Sequence, residues 1–205
     1  MTARGGVVLV SEVGGVDDVL RGYAAKLEAG GWVVAMPDLW AGKRPDGDVE
    51  AVITALSDFD ALGAIGAARD SLPAPRFVMG FCLGGLYARM AACTLQGFSG
   101  AVEFYGRIVY PTITPKKPAQ PLDLLPGLSC PYQGHFGDAD PIAPPEHVDE
   151  LERRLMRSRF ASQVFRYPGR GHAFLNTDRP TWDEGAARTA WARAEHFLDH
   201  LGMVR

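Results

Sequence analysis

Six short runs with strand character, GVVLV (6–10), WVVAM (32–36), RFVM (76–79), AVEFY (101–105), PYQGHFG (131–137) and SQVFRY (162–167), alternate with longer stretches of helical period. Nothing else in the chain restricts the fold as much. Strands that alternate with helices build βαβ units, in which the strands run parallel and the helices cover the sheet. The expectation is an α/β fold, a mostly parallel central sheet with helices on both faces. The first helix is expected over 17–29, where Val19, Leu20, Tyr23 and Leu27 share a face, Asp17 or Asp18 caps the start and Gly30-Gly31 ends it. A second is expected as one element from Asp48 to Arg69, stopped by Pro73 and Pro75. Further helices are expected from the cysteine at 82 through Leu95, over Pro145–Arg157 and over Pro180–Leu201. The stretch 106–127 holds Pro111, Pro115, Pro118, Pro121 and Pro126, so most of it is expected to be irregular, and long irregular loops are usually functional.

A chain of 205 residues has room for one sizeable core, and a single domain over 1–205 is expected. The net charge of −3, with both signs interspersed, gives no electrostatic footprint for nucleic acid or an anionic membrane and favours a small-molecule partner. The N-terminal apolar run is too short for a signal-peptide core, and no segment approaches the roughly 20 apolar residues of a membrane span, so a cytoplasmic protein is expected. Cys82, Cys93 and Cys130 are an odd number without C-x-x-C spacing, which suggests neither a disulfide framework nor a zinc site. A monomer is the expectation.

Functional groups in a parallel sheet collect at the carboxyl ends of its strands. Glu12, Cys82, Asp138 with Asp140, and His172 all follow strand runs. The pentapeptide G-F-C-L-G, Gly80 to Gly84, has the form of the G-x-S-x-G nucleophile elbow with cysteine as nucleophile. Its glycines make room for a sharp strand-to-helix turn that lifts the thiol above the sheet, at a helix N-terminus that favours thiolate. Cys82, Asp140 and His172 also come in the chain order nucleophile, acid, histidine that such a triad follows. His172 lies on a glycine-flanked loop, GRGH, from which an imidazole can reach a neighbouring strand end. His135 reads as a packed strand residue, and His147, His196 and His200 as helix-surface residues. Glu12, from the residues alone, reads as a solvated loop residue.

The segments SEVGG, PDLW, GFCLGG, EFYG, FGDADPIAP and GRGHAF together resemble the dienelactone hydrolase family of α/β-hydrolases, over nearly the whole chain. The resemblance implies an α/β-hydrolase fold and hydrolysis of a small ester or lactone without cofactor or metal. It implies Cys82 as nucleophile, His172 as base and Asp140 as its orienting acid. It implies that Glu12 holds the resting thiol and takes its proton when substrate enters, and that the backbone N–H groups of Val13 and Leu83 form the oxyanion hole. Between the two loop carboxylates, the spacing from Gly137 and to Pro144 selects Asp140, which leaves Asp138 to cap the loop. Tyr105 and Phe174, within the EFYG and GRGHAF segments, are candidate substrate contacts. Asn176 stands where the family pattern has an arginine for the substrate carboxylate, which makes Lys43, Arg44 and Arg107 the candidate sources of positive charge. The same residues are compatible with a thioesterase or acyl transferase, and Cys82 alone with a binding or redox-sensing protein.

Overall fold

The computed structural model describes residues 3–44 and 46–203, so the outermost residues of the expected 1–205 domain lie outside it. Strand β1 (Gly6–Val10) is buried at every position, as a strand covered on both faces must be. Its side chains part in alternation. Val7 and Leu9 join one hydrophobic cluster, with Leu20, Tyr23 and Leu27 of helix α1 (Asp18–Ala29) and Ala190, Trp191 and Leu198 of the last helix. Val8 and Val10 join the other, on the opposite face. Of the two candidate caps, Asp17 is the one that starts α1, its carboxylate accepting the Leu20 N–H at 2.8 Å.

The order along the chain continues with β2 (Val33–Ala35), α2 (Val49–Ala55), α3 (Asp58–Asp70), β3 (Arg76–Phe81), α4 (Leu83–Thr94) and β4 (Gly100–Phe104). A 3-10 helix (Pro121–Gly127), β5 (Tyr132–Gly137), α5 (Pro145–Leu155), β6 (Ser162–Tyr167) and α6 (Glu184–Met203) follow. The strands form one six-stranded sheet in the order β2-β1-β3-β4-β5-β6, with every neighbouring pair parallel. Helices α1 and α6 supply one face and α2 to α5 the other. No single helix among the described residues is long and apolar enough to cross a membrane.

Two expectations change. The helix read over 48–69 is two helices bent by 75°, because Leu56 and Ser57 are extended and the Ser57 hydroxyl accepts the Asp60 N–H, starting α3 afresh. The proline-rich stretch is irregular up to Gln120, as expected, but then forms the 3-10 helix with Leu122 and Leu125 buried. It is tied down along its length. The Gln120 amide accepts the Tyr110 N–H and donates to the Tyr110 carbonyl, both at 2.9 Å, and Asp58 accepts from the Tyr110 hydroxyl at 2.8 Å and from Lys117 at 3.2 Å.

The sheet order also sets where a site belongs. Chain direction across the sheet reverses between β1 and β3, and ligands in open α/β sheets bind beyond the carboxyl ends of strands at such a reversal. The loops after β1 and β3 carry Glu12 and Cys82.

Candidate active site

Cys82 joins β3 to α4 with φ 52° and ψ −114°, a backbone conformation that costs a non-glycine residue roughly 1–3 kcal/mol. The glycines around it are obligatory for steric reasons. A Cβ on Gly80 would lie 2.0 Å from the Gly84 carbonyl oxygen, and one on Gly84 2.3 Å from that of Val10. The turn is fastened by the Cys82 N–H, which donates to the Phe104 carbonyl at 3.0 Å. The strand-to-helix elbow expected from G-F-C-L-G is therefore present, with its thiol half-buried at the start of α4.

The loop after β6 brings His172 to that thiol. Its Nε2 lies 3.1 Å from Cys82 Sγ and its Nδ1 2.8 Å from Asp140 Oδ2. Asp140 is buried, and its other oxygen accepts the Ile142 N–H at 2.7 Å, which fixes the carboxylate. Asp138 takes a different part, accepting the Gly169 N–H at 2.5 Å and so tying the loop after β5 to the turn after β6. Burial works against a charge on His172, but its bonds to Asp140 and Cys82 and their negative charges outweigh it and raise the imidazole to about 10. With its midpoint raised that far, the imidazole holds its proton at neutral pH and presents a positive charge to the Cys82 sulfur. The other two thiols, Cys93 and Cys130, are buried and are pushed up to about 12 by that burial.

Glu12 departs from its implied place. Its carboxylate has no hydrogen bond to Cys82, whose sulfur faces His172; it accepts instead from Asn176 Nδ2 at 3.0 Å and from the Tyr105 hydroxyl at 3.3 Å, with Arg179 at 3.8 Å. Burial raises the Glu12 carboxyl above its ordinary value, while Asn176, the His172 charge, Arg179 and Tyr105 oppose the rise. Asn176 and Arg179 as Glu12 partners escaped sequence reasoning, since 164 residues separate Asn176 from Glu12 and no local pattern links them.

Leu83 opens α4, where a backbone N–H has no intrahelical acceptor, and among the described residues no hydrogen bond occupies the Val13 N–H. Arg44 reaches this loop, its Nε donating to the Val13 carbonyl at 2.9 Å. Arg107 is turned to Glu50 at 2.7 Å, and Lys43 is exposed with no side-chain contact that joins it to the cluster. Phe174 is fully buried against Tyr105 and Tyr167, a packing residue by its contacts, and Tyr105 is buried in a T-shaped contact with His172, ring centroids 5.3 Å apart. His135 is buried between Tyr167 and Gln133, as a packed strand residue.

The dienelactone hydrolase family model matches residues 2–202. The chain belongs to the dienelactone hydrolase family. A Salmonella typhimurium protein provisionally named a carboxymethylenebutenolidase is 28% identical over 96% of this chain and 77% of its own length. A Bradyrhizobium protein provisionally named a 2-oxo-3-(5-oxofuran-2-ylidene)propanoate lactonase is 28% identical over 94% of this chain and 82% of its own. Among solved structures, a Klebsiella pneumoniae protein provisionally assigned as a dienelactone hydrolase superposes with TM-score 0.85 at 22% identity, covering 97% of this chain and 86% of that one. The fold is the α/β-hydrolase fold that this family shares, and family members are hydrolases.

Proposed function

We propose that this protein is a cysteine-dependent hydrolase of a small ester or lactone, working through Cys82, His172 and Asp140. The observation that carries the reading is the single imidazole that joins the strained elbow thiol, at 3.1 Å, to a buried carboxylate, at 2.8 Å. The names of the Salmonella and Bradyrhizobium relatives, one a butenolidase and one a lactonase, support a lactone among the substrates.

The Cys82 thiolate attacks the substrate carbonyl carbon, and the electron pair of the C=O bond moves to oxygen. The N–H groups of Val13 and Leu83 stabilise that oxyanion, at about 3–4 kcal/mol per donor. As the oxyanion collapses, the C–O bond to the leaving alkoxide breaks and the alkoxide takes the proton from His172. A thioester on Cys82 remains. His172, now neutral and held by Asp140 in the tautomer that leaves Nε2 free, removes a proton from water. The hydroxide adds to the thioester, the acid leaves, and the thiolate and imidazolium are restored. The Glu12 carboxylate contributes a negative charge that faces the His172 imidazolium.

The experiment is a panel of chromogenic esters and lactones, neutral and anionic, offered to the wild type and to Cys82→Ala. Turnover of at least one substrate that vanishes in the variant is expected. Equal turnover by the folded variant overturns the assignment of the nucleophile.

A further inference from the structure

Beneath the elbow lies a buried ionic group outside the cluster around Cys82. Arg89, in the second turn of α4, and Glu103, the penultimate residue of β4, are both 0% exposed. Arg89 Nη1 donates to both Glu103 oxygens at 2.6 and 2.7 Å, and the Tyr132 hydroxyl donates to Glu103 at 2.7 Å. The second Arg89 amino group donates to the Arg107 carbonyl at 2.7 Å. One guanidinium on the nucleophile helix thus grips the end of β4 and the turn that follows it.

That turn carries Tyr105, whose φ of 42° is the left-handed conformation a side-chain-bearing residue rarely adopts. It packs on α4 without a gap. A Cβ on Gly85 would lie 2.7 Å from the Phe104 carbonyl oxygen, and one on Gly106 2.4 Å from the Leu86 nitrogen. From this position Tyr105 sets its hydroxyl 3.3 Å from Glu12 and its ring at 68° to the His172 ring, with the two ring centroids 5.3 Å apart. A buried ion pair is weak evidence for stability, since well-packed apolar residues often replace it without loss, so its presence here calls for another reason.

We propose that Arg89 and Glu103 are positioning residues for the site: they clamp the turn 104–107 onto α4, and Tyr105, held there, keeps Glu12 and the His172 ring in place. This rests on the reading of Cys82 and His172 given above.

The test is a cycle between the clamp and Tyr105. Arg89→Met, Glu103→Leu and Tyr132→Phe together exchange the buried polar group for apolar side chains. The triple variant is expected to melt at or above the wild-type temperature, with kcat lowered about ten- to a hundredfold and KM nearly unchanged, the range expected when a reacting group is misplaced from afar. Tyr105→Phe lowers kcat on its own, and added to the triple variant it lowers kcat little further. A merely structural role predicts independent losses that multiply. Should the triple variant not fold, Arg89→Lys enters the same cycle, because an ammonium keeps the charge beside Glu103 without the planar fork that also reaches the Arg107 carbonyl. Wild-type kcat in the folded triple or Arg89→Lys variant, or losses that multiply with Tyr105→Phe, overturns the clamp. Loss of turnover in Cys82→Ala alongside an unaffected clamp variant overturns the clamp alone.

Discussion

Asn176 Nδ2 donates to Glu12 Oε2 across 3.0 Å. The amide holds the carboxylate without bringing a charge of its own. Asn176→Leu removes a bond that favours the ionised form while leaving the burial that opposes it, so Glu12 stays protonated to higher pH. The acidic limb of the kcat/KM profile is expected to move upward in pH relative to wild type. A limb that stays in place separates Glu12 from the rate.

Asp138 and Asp140 stand on one loop and do different work. Asp140→Asn keeps an oxygen for the Ile142 N–H but loses the anion that fixes the His172 tautomer, so turnover is expected to fall by orders of magnitude, up to about 10⁴-fold, with little change in melting temperature. Asp138→Asn weakens the tie to Gly169 and is expected to lower the melting temperature by a few degrees, with turnover per folded molecule retained. The two assays run side by side decide. A stable, inactive Asp138→Asn protein reverses the assignment.

The His172 ring is expected to hold its proton through neutrality and to titrate near pH 10, followed through its ring C–H resonances. The sign of each contribution is open to dissection. Removing either negative partner lowers the midpoint, since burial alone disfavours the charged ring, so Cys82→Ala and Asp140→Asn each bring the midpoint down. An unchanged midpoint in Cys82→Ala shows that thiol and imidazole are not coupled.

How much of this was legible in the sequence varies with the range of the interaction. The elbow was readable because its requirements are local: Gly80 and Gly84 are forced by atoms within a few residues or on the adjacent strand end, and a helix follows at once. Asp140 and His172 were readable because the chain order of strand ends carries over into space. The break between α2 and α3 has a local signature too, Ser57 followed by acidic Asp58 and Asp60, but the continuous apolar face of 49–62 masked it. The partners of Glu12 and the pairing of Arg89 with Glu103 had no such signature. A lone arginine on a helix and a lone glutamate in a strand reveal a buried pair only once the register of α4 on β4 is known.

The acyl group itself gives the most direct test of the central claim. Wild-type protein mixed with a slight excess of a chromogenic ester, quenched in acid within the first turnover and digested, is expected to carry the acyl mass on the peptide containing Cys82, with one equivalent of alcohol released per protein molecule. The acid quench preserves a thioester, and the adduct decays as free acid appears when the quench is delayed. An acyl mass on any other residue, or turnover of the ester with no adduct at Cys82, contradicts the account.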